Sequence, residues 1–327
     1  MIARTGTPRH FGAVMSAMVT PFDAQGRLDL DAAQRLARWL VEHGNDGLVV
    51  AGTTGEASAL SDPERCDLVR AICEAVTVPV LAGTGSNDTA HTVALTRQAK
   101  DLGAAGVLLV SPYYTRPPQA GIEAHFRAAA AATPLPVMLY DVPLRTGRRI
   151  GPEVLLRLLR DVPNAVAFKD ATGDAVAAAH VVANAGPHVD LYSGDDGMTL
   201  PLLAIGAVGL VGTTTHWTAP QFAQLILAFR RGEVEQARQI NARLLESFEF
   251  VNSDESVFSM SIKAMLRTLG QDVGDCRLPL LPAPASVRAR AADIWSRLTA
   301  RSAPRKLPPC ERTWSAVRSG MPCWDWP

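Results

Sequence analysis

The sequence predicts an α/β fold, a (β/α)8 (TIM) barrel followed by a small helical region at the C-terminus. Eight short apolar runs with β-strand character recur between residues 13 and 212. Segments with helical periodicity separate them, and a chain of this length accommodates eight strand–helix units. A doubly wound sheet usually has fewer strands and a reversal in strand order that a sequence does not reveal. We therefore favour the barrel.

The predicted strands follow one another at the spacing that a barrel requires. Each is a short apolar run that ends in glycine, hydroxyl or other turn-forming residues. They occupy residues 13–19, 47–51, 78–82, 106–110, 136–140, 165–169, 189–192 and 209–212.

The boundaries of the first helices are visible in the sequence. Residues 29–43 place their apolar side chains on one face, and Gly44 follows where a helix end favours a left-handed residue. Ser61 and Glu64 have the spacing of a capping box and predict the start of the next helix. Beyond the barrel, helices are predicted at residues 234–250, 256–269 and 284–298.

These elements divide the chain into three parts. Residues 1–231 form the predicted catalytic barrel, and residues 232–301 form the helical region. Residues 302–327 contain five prolines and three tryptophans without periodicity. They predict an irregular tail, to which we assign no function.

Composition and charge argue against several classes of function. The chain has 32 basic and 32 acidic residues in 327, which predicts no basic surface for nucleic acid or anionic membranes. We find no apolar run long enough to span a membrane and no secretion signal. The five cysteines lack zinc spacing, so we expect reduced thiols in a cytoplasmic protein and no bound metal.

Lys169 is the candidate catalytic residue. It lies in the apolar run at residues 165–169, although lysine is rarely buried without a partner or a task. A lysine amine attacks a carbonyl only when it is neutral, and burial lowers its pKa towards that state. Schiff-base chemistry would use such a residue. The alternative is a lysine that reaches solvent or pairs with Asp170, and this segment alone does not decide between the two.

Other candidates lie at the carboxyl ends of the predicted strands, where barrels of this kind carry their chemistry. Residues 52–56, Gly-Thr-Thr-Gly-Glu, offer hydroxyls and amides to a small carboxylate, although an ordinary strand-to-helix turn is slightly favoured by this motif alone. Tyr140 ends the strand before that of Lys169, so its hydroxyl could reach an adduct on the lysine. A tyrosine hydroxyl beside a lysine amine can shuttle protons. Arg145 offers a planar guanidinium to a substrate carboxylate.

The paired aspartates and the histidines are candidates for metal ligands or catalytic residues, but their spacing argues against both roles. Asp195 and Asp196 have no clustered ligands at metal spacing, so helix capping is favoured over a metal site. The seven histidines are scattered. Of these, only His216, near the eighth strand, is placed near the barrel mouth.

With these residues identified, the chain resembles the dihydrodipicolinate synthase family of pyruvate-dependent class I aldolases, whose superfamily includes N-acetylneuraminate lyase. The resemblance runs from about residue 16 to about residue 281. Its motifs, in order, are AMVTPF at 17–22, GTTGE at 52–56, SPYY at 111–114, YDVP at 140–143, RTG at 145–147, KDATG at 169–173, SGDD at 193–196, VGD at 273–275 and RLP at 277–279.

The resemblance implies a set of catalytic residues. Lys169 would form a Schiff base with pyruvate, and Tyr140 would pass protons during its formation and the later steps. Thr53 would link Tyr140 to Tyr114 in a hydroxyl relay. Tyr114 would reach this relay from a neighbouring subunit.

The resemblance also implies the substrates and their binding residues. Pyruvate would condense with aspartate 4-semialdehyde to 4-hydroxy-tetrahydrodipicolinate, a step of lysine and diaminopimelate biosynthesis. Arg145 would bind the carboxylate of the aldehyde. Thr54, the Val211 carbonyl and Gly194 would line the pyruvate pocket. No metal or organic cofactor would be needed, and the enzyme would be a homotetramer built as a dimer of tight dimers.

Residues 212–216, Gly-Thr-Thr-Thr-His, depart from the Ser-Val-Thr-Ala-Asn that is frequent in the family. The departure changes the wall of the substrate pocket, so the motifs specify the type of reaction more closely than the substrate. One alternative is a sister aldolase or lyase acting on a 2-keto-3-deoxy sugar acid or N-acetylneuraminate, against which the RTG motif argues. The other is a catalytically silent barrel that serves as a binding module.

The resemblance also predicts the response to lysine, which inhibits some family members. Asn87 and Tyr113 match the lysine-binding cleft, but Asp62, Arg65 and His91 stand where lysine-sensitive enzymes tend to have His, His and Glu. The carboxylate that would hold the ammonium group of lysine is missing at position 91. We therefore expect weak or absent inhibition.

Overall fold

A computed structural model describes residues 10–253 and 256–300. Within these residues, eight parallel strands form a closed barrel in chain order, and the last strand pairs with the first. The fold class predicted from the sequence is therefore confirmed. The strands are β1 (Val14–Ala17), β2 (Gly47–Val50), β3 (Val80–Gly83), β4 (Gly106–Val110), β5 (Val137–Asp141), β6 (Ala165–Asp170), β7 (Asp190–Ser193) and β8 (Gly209–Gly212).

Helices connect successive strands and continue beyond the barrel. Those of the barrel are α1 (Leu30–Glu42), α2 (Asp62–Ala75), α3 (Thr89–Gln98), α4 (Gln119–Ala130), α5 (Pro143–Thr146), α6 (Pro152–Asp161), α7 (Ala175–Asn184), α8 (Thr199–Ala204) and α9 (Thr215–Arg230). The C-terminal region consists of α10 (Val234–Val251), α11 (Phe258–Thr268) and α12 (Ala285–Ala300). None of the helices in the described ranges is long and apolar enough to cross a membrane.

Most predicted elements are present with small shifts at their ends. The short helix α5 was not predicted, because four residues are too few to show a helical period. The tail at residues 302–327 lies outside the described residues. The division of the chain at residues 231 and 301 stays a prediction.

Local sequence signals set the helix ends as expected. The Ser61 side chain accepts a hydrogen bond from the backbone of Glu64 while the Glu64 carboxylate binds the Ser61 amide, which completes the predicted capping box. Asp29 caps α1 by accepting from the amide of Ala32 at 2.9 Å. Gly44, just after that helix, has a φ of 95°, a conformation that suits glycine.

Strand pleating sorts the side chains into two apolar layers. One layer fills the barrel and includes Met138, Tyr140 and Ala167. The other lies between strands and helices and includes Leu139 and Phe168. Because successive strand residues face opposite sides, Lys169, two positions after Ala167, also faces the barrel interior.

The C-terminal region is attached to the loop after β2 by buried polar contacts. Lys263 of α11 lies 2.8 Å from the Glu56 carboxylate, and both side chains are almost fully buried. The Lys263 amine also donates to the Asp275 carbonyl at 2.9 Å. Glu56 accepts from the Arg277 amide at 2.9 Å. The loop that carries the Gly-Thr-Thr-Gly-Glu motif is therefore fixed by residues from the far end of the chain.

We expect Lys263→Met to lower the free energy of unfolding by about 3 kcal/mol, because it leaves the Glu56 carboxylate buried and unpaired. Chemical denaturation monitored by circular dichroism measures the change. Arg238→Met is the matched control, since the ion pair of Arg238 with Glu235 is exposed and should contribute less than about 1 kcal/mol. Equal losses in the two variants would contradict the importance of the buried pair.

Candidate active site

Lys169 and Tyr140 meet at the carboxyl ends of β6 and β5. The two residues are register partners in the sheet. The Lys169 amine lies 4.2 Å from the centre of the Tyr140 ring, and each residue is only 5% exposed. Since the amine faces the barrel mouth from a buried position, the reading of Lys169 as a solvent-reaching lysine is wrong.

Burial changes the protonation of Lys169. Desolvation lowers the pKa of its amine to about 8, while the negative charge of Asp196 acts in the opposite direction. An ordinary lysine has a pKa near 10.4, which leaves about four amines in ten thousand neutral at pH 7. A pKa of about 8 leaves about one in ten neutral. The side chain is therefore prepared to act as a nucleophile.

Tyr140 is held as a neutral phenol. Burial raises its pKa to about 12, although the charge of Arg145 and a hydrogen bond from the Thr53 side chain lower it. The hydroxyl thus keeps its proton at neutral pH and can donate it to a reacting group. Thr53 and Tyr140 line a common cavity, and the role of Thr53 in a relay stays a prediction.

Tyr114 does not join this site within one chain. Its backbone has a φ of 74°, and 87% of its surface is exposed. The adjacent Tyr113 instead lines a cavity of about 240 Å³ that also borders Tyr140 and Arg145. The prediction that Tyr114 acts across a subunit boundary stays a prediction.

A smaller cavity of about 100 Å³ contains most of the residues predicted to bind pyruvate. Thr54, Lys169 and Gly194 line it. A Cβ atom at Gly194 would lie 3.0 Å from the Cε atom of Lys169, so glycine leaves room for the lysine side chain. Val211 is fully buried in the layer inside the barrel, and its side chain is not among those that line this cavity.

Arg145 borders both cavities from the short helix α5. Its guanidinium lies over the ring of Phe258, 4.2 Å from the ring centre. Phe258, Leu144 and Asn252 also line the smaller cavity. The sequence did not predict that Phe258 and Asn252 line this cavity, because both belong to the helical region that packs against the barrel mouth.

Comparison with known proteins decides the family. A model of the dihydrodipicolinate synthetase family matches residues 10–297. The chain belongs to this family. The resemblance inferred from the motifs is thereby confirmed.

The chain is similar to named relatives in sequence and to solved structures in fold. The 4-hydroxy-tetrahydrodipicolinate synthase of Acidothermus cellulolyticus is 50% identical over 285 residues, which are 86% of this chain and 91% of that protein. The dihydrodipicolinate synthase of Cyanidioschyzon merolae with lysine bound is 39% identical, with a TM-score of 0.85 over 89% of this chain and 99% of that one. The Acinetobacter baumannii enzyme, complexed with pyruvate, is 32% identical, with a TM-score of 0.83 over 88% and 98% of the two chains.

The loop after β8, where this family member departs from the frequent motif, is closed by Asp196. Its carboxylate accepts from the amides of Thr213 and Thr214 at 2.9 and 3.0 Å and from their hydroxyls at 2.7 and 2.6 Å. Asp195 caps a short 3₁₀ turn through the amide of Gly197, as predicted. The predicted capping role of Asp196 is wrong, because its carboxylate is committed to the threonines.

His216 links two strand ends. Its Nε2 atom accepts from the Val19 amide at 3.2 Å, and its Nδ1 atom lies 2.7 Å from the Thr213 carbonyl oxygen. Burial lowers the pKa of the ring to about 4, so the histidine is neutral and holds loops in place. Among the described residues, no group of three His, Cys, Asp or Glu side chains is placed to hold a metal ion.

We expect Lys169→Met to stabilise the fold near neutral pH. The folded pKa of about 8 lies below the unfolded value near 10.4, so below pH 8 the folded protein bears the whole cost of burying the ammonium. This cost is about 3 kcal/mol, and it disappears as the pH rises from 8 to 10.4. Denaturant unfolding across that range measures the effect.

The exposed Lys100 provides the control for this variant. Lys100→Met should change the free energy of unfolding by less than about 0.5 kcal/mol at any pH. A loss of stability in Lys169→Met at pH 7, or a gain that does not depend on pH, would contradict the burial cost.

Proposed function

We propose that this chain is a 4-hydroxy-tetrahydrodipicolinate synthase, which condenses pyruvate with aspartate 4-semialdehyde through a Schiff base on Lys169. The observation that carries the proposal is the buried lysine amine, with its lowered pKa, beside the protonated phenol of Tyr140. Relatives that bear this name are as much as 50% identical over most of both chains.

The first half of the reaction builds the imine. The neutral Lys169 amine attacks the C2 carbonyl of pyruvate and forms a carbinolamine. Tyr140 donates a proton to the leaving hydroxyl, water departs, and a positively charged imine remains. Thr53, which hydrogen-bonds Tyr140, passes the replacement proton to the phenol. A positioned acid of this kind typically contributes a rate factor of about 10² to 10⁴.

The second half forms the carbon–carbon bond. The Tyr140 hydroxyl relays a proton from the pyruvate methyl group to Thr53 and on to solvent, which converts the imine to an enamine with the lysine nitrogen as the electron sink. The enamine carbon attacks the aldehyde carbon, and the resulting alkoxide takes a proton from Tyr140. The amine of the second substrate then attacks C2, closes the ring and releases Lys169.

Substrate carboxylates bind at two ends of the site. The Thr54 hydroxyl and backbone amide hold the carboxylate of pyruvate, with Gly194 and the Val211 carbonyl completing the pocket. Arg145 binds the carboxylate of the aldehyde. Its exposed guanidinium at the cavity rim supports this assignment, since the planar group suits bidentate recognition of a carboxylate.

We infer that the working enzyme is a homotetramer, built as a dimer of tight dimers, in the cytoplasm. Tyr114 is exposed and has a left-handed backbone, and such conformations cluster at functional sites. Both features support the entry of its hydroxyl into the relay of a neighbouring subunit. The free thiols of Cys66, Cys73 and Cys276 support a reducing compartment.

We expect wild-type protein to turn over pyruvate and aspartate 4-semialdehyde in a coupled assay and Lys169→Ala to show no activity above background. Tyr140→Phe should lower kcat by at least about a hundredfold, because the proton donor is removed. Tyr192→Phe is the matched control, since that hydroxyl faces the Phe11 carbonyl at 3.4 Å and not the cavity.

The same protein tests the imine directly. Borohydride reduction with pyruvate should add one pyruvate-derived mass to the peptide that contains Lys169, at a rate that rises with pH up to about 8. Faster cleavage of a sugar acid than condensation would favour the sister lyase. The absence of any adduct would favour the silent barrel.

We also propose that lysine inhibits weakly or not at all. His91 Nε2 lies 2.8 Å from the Asp62 carboxylate, and the Arg65 guanidinium donates to the Ala57 carbonyl. At position 91 an imidazole bound to Asp62 therefore stands where the ammonium of lysine needs a free carboxylate. Half-inhibition should require millimolar lysine or more, and His91→Glu should lower that concentration. Half-inhibition of wild type at sub-millimolar lysine would refute the proposal.

A further inference from the structure

The first turn of α11 contacts both ends of the candidate active site. Its first residue, Phe258, lies beneath the Arg145 guanidinium at 4.2 Å from the ring centre. The next residue, Ser259, is buried, and its hydroxyl donates to the Thr54 carbonyl at 2.9 Å. One helical turn thus contacts the residues assigned to the two substrate carboxylates.

We propose that Phe258 is a positioning residue that holds Arg145 for the carboxylate of the second substrate. The proposal rests on the proposed function, because the role of Arg145 is assigned there. It adds a residue of the C-terminal region to the machinery that selects the aldehyde.

The geometry explains why a ring serves this purpose. Arg145 belongs to a four-residue helix at the cavity rim, and its side chain is exposed. A free arginine side chain has about 2 kcal/mol of rotamer entropy to lose on binding. Stacking on a ring uses the face of the guanidinium and leaves the N–H donors at its edge free for a carboxylate. The ring therefore orders the group before substrate arrives.

Ser259 connects the same helical turn to the pyruvate side of the site. Its bond to the Thr54 carbonyl fixes α11 against the loop that holds pyruvate, and its neighbour Phe258 fixes Arg145. Carbon–carbon bond formation requires the reacting atoms to approach within about 3–3.5 Å. We infer that this turn sets the spacing of the two carboxylate sites.

Steady-state kinetics with each substrate varied in turn tests the proposal. Phe258→Leu keeps an apolar side chain but removes the aromatic face, so KM for aspartate 4-semialdehyde should rise about tenfold. KM for pyruvate should change by less than about twofold, because Thr54 is untouched. Phe258→Tyr keeps the ring and should retain both wild-type values.

Phe229→Leu is the matched control. Phe229 is also partly buried against the apolar core, but it lies near the end of α9 and is absent from the residues that line either cavity. The same chemical change there should leave both KM values unaltered, which separates the effect on Arg145 from a general loss of packing.

A double-mutant cycle tests whether Phe258 acts through Arg145. If it does, Phe258→Leu should add little to the defect of Arg145→Met. Independent, additive losses would overturn the proposal. So would equal increases in both KM values for Phe258→Leu, or a Phe258→Tyr protein as impaired as Phe258→Leu.

A crystal structure of the Phe258→Leu protein gives a readout that does not depend on turnover. The Arg145 guanidinium should be displaced or disordered in this variant, and an unchanged position would overturn the proposal. If wild-type protein fails to use aspartate 4-semialdehyde, the proposed function fails, while this structure still decides whether Phe258 orders Arg145.

Discussion

The burial of the Lys169 amine is the constraint on which the rest of the site depends. The Lys169 side chain is only 5% exposed, and a buried cation is costly unless it loses its proton or gains a partner. Here burial lowers the pKa of the amine, and the amine also gains favourable neighbours. The face of the Tyr140 ring lies 4.2 Å from the amine, and Asp196 supplies a negative charge that opposes the lowering of its pKa. The barrel absorbs the remaining cost, because closing eight strands buries two apolar layers.

The loop after β8 carries a changed motif in an ordered arrangement. Asp196 receives four hydrogen bonds from Thr213 and Thr214. Both oxygens are engaged, so the carboxylate is held in place beside Lys169. His216 holds the same loop against the end of β1. The departure from the frequent family motif is therefore compatible with an ordered wall beside the lysine.

The C-terminal region belongs to the site as much as to the scaffold. The ion pair of Lys263 with Glu56, the bond from Ser259 to Thr54 and the stack of Phe258 on Arg145 all connect α11 to loops of the barrel mouth. Tyr114 is exposed, and its part in the site depends on the proposed contact with a neighbouring subunit. Residues of the barrel and of the helical region therefore both line the cavity that holds Lys169.

The sequence by itself determined the barrel, because strand alternation, helix caps such as Ser61 and left-handed glycines such as Gly44 are local signals. It also indicated Lys169, Tyr140 and Arg145 as candidates, because polar residues at strand ends converge in any parallel barrel, and the family resemblance added Thr53. Only the tertiary structure decided that Phe258 stacks on Arg145, that Lys263 pairs with Glu56 and that Asp196 binds two threonines. The physical reason is separation along the chain: Ser259 and Thr54 lie 205 residues apart, and no periodicity or turn pattern records which distant side chains will meet.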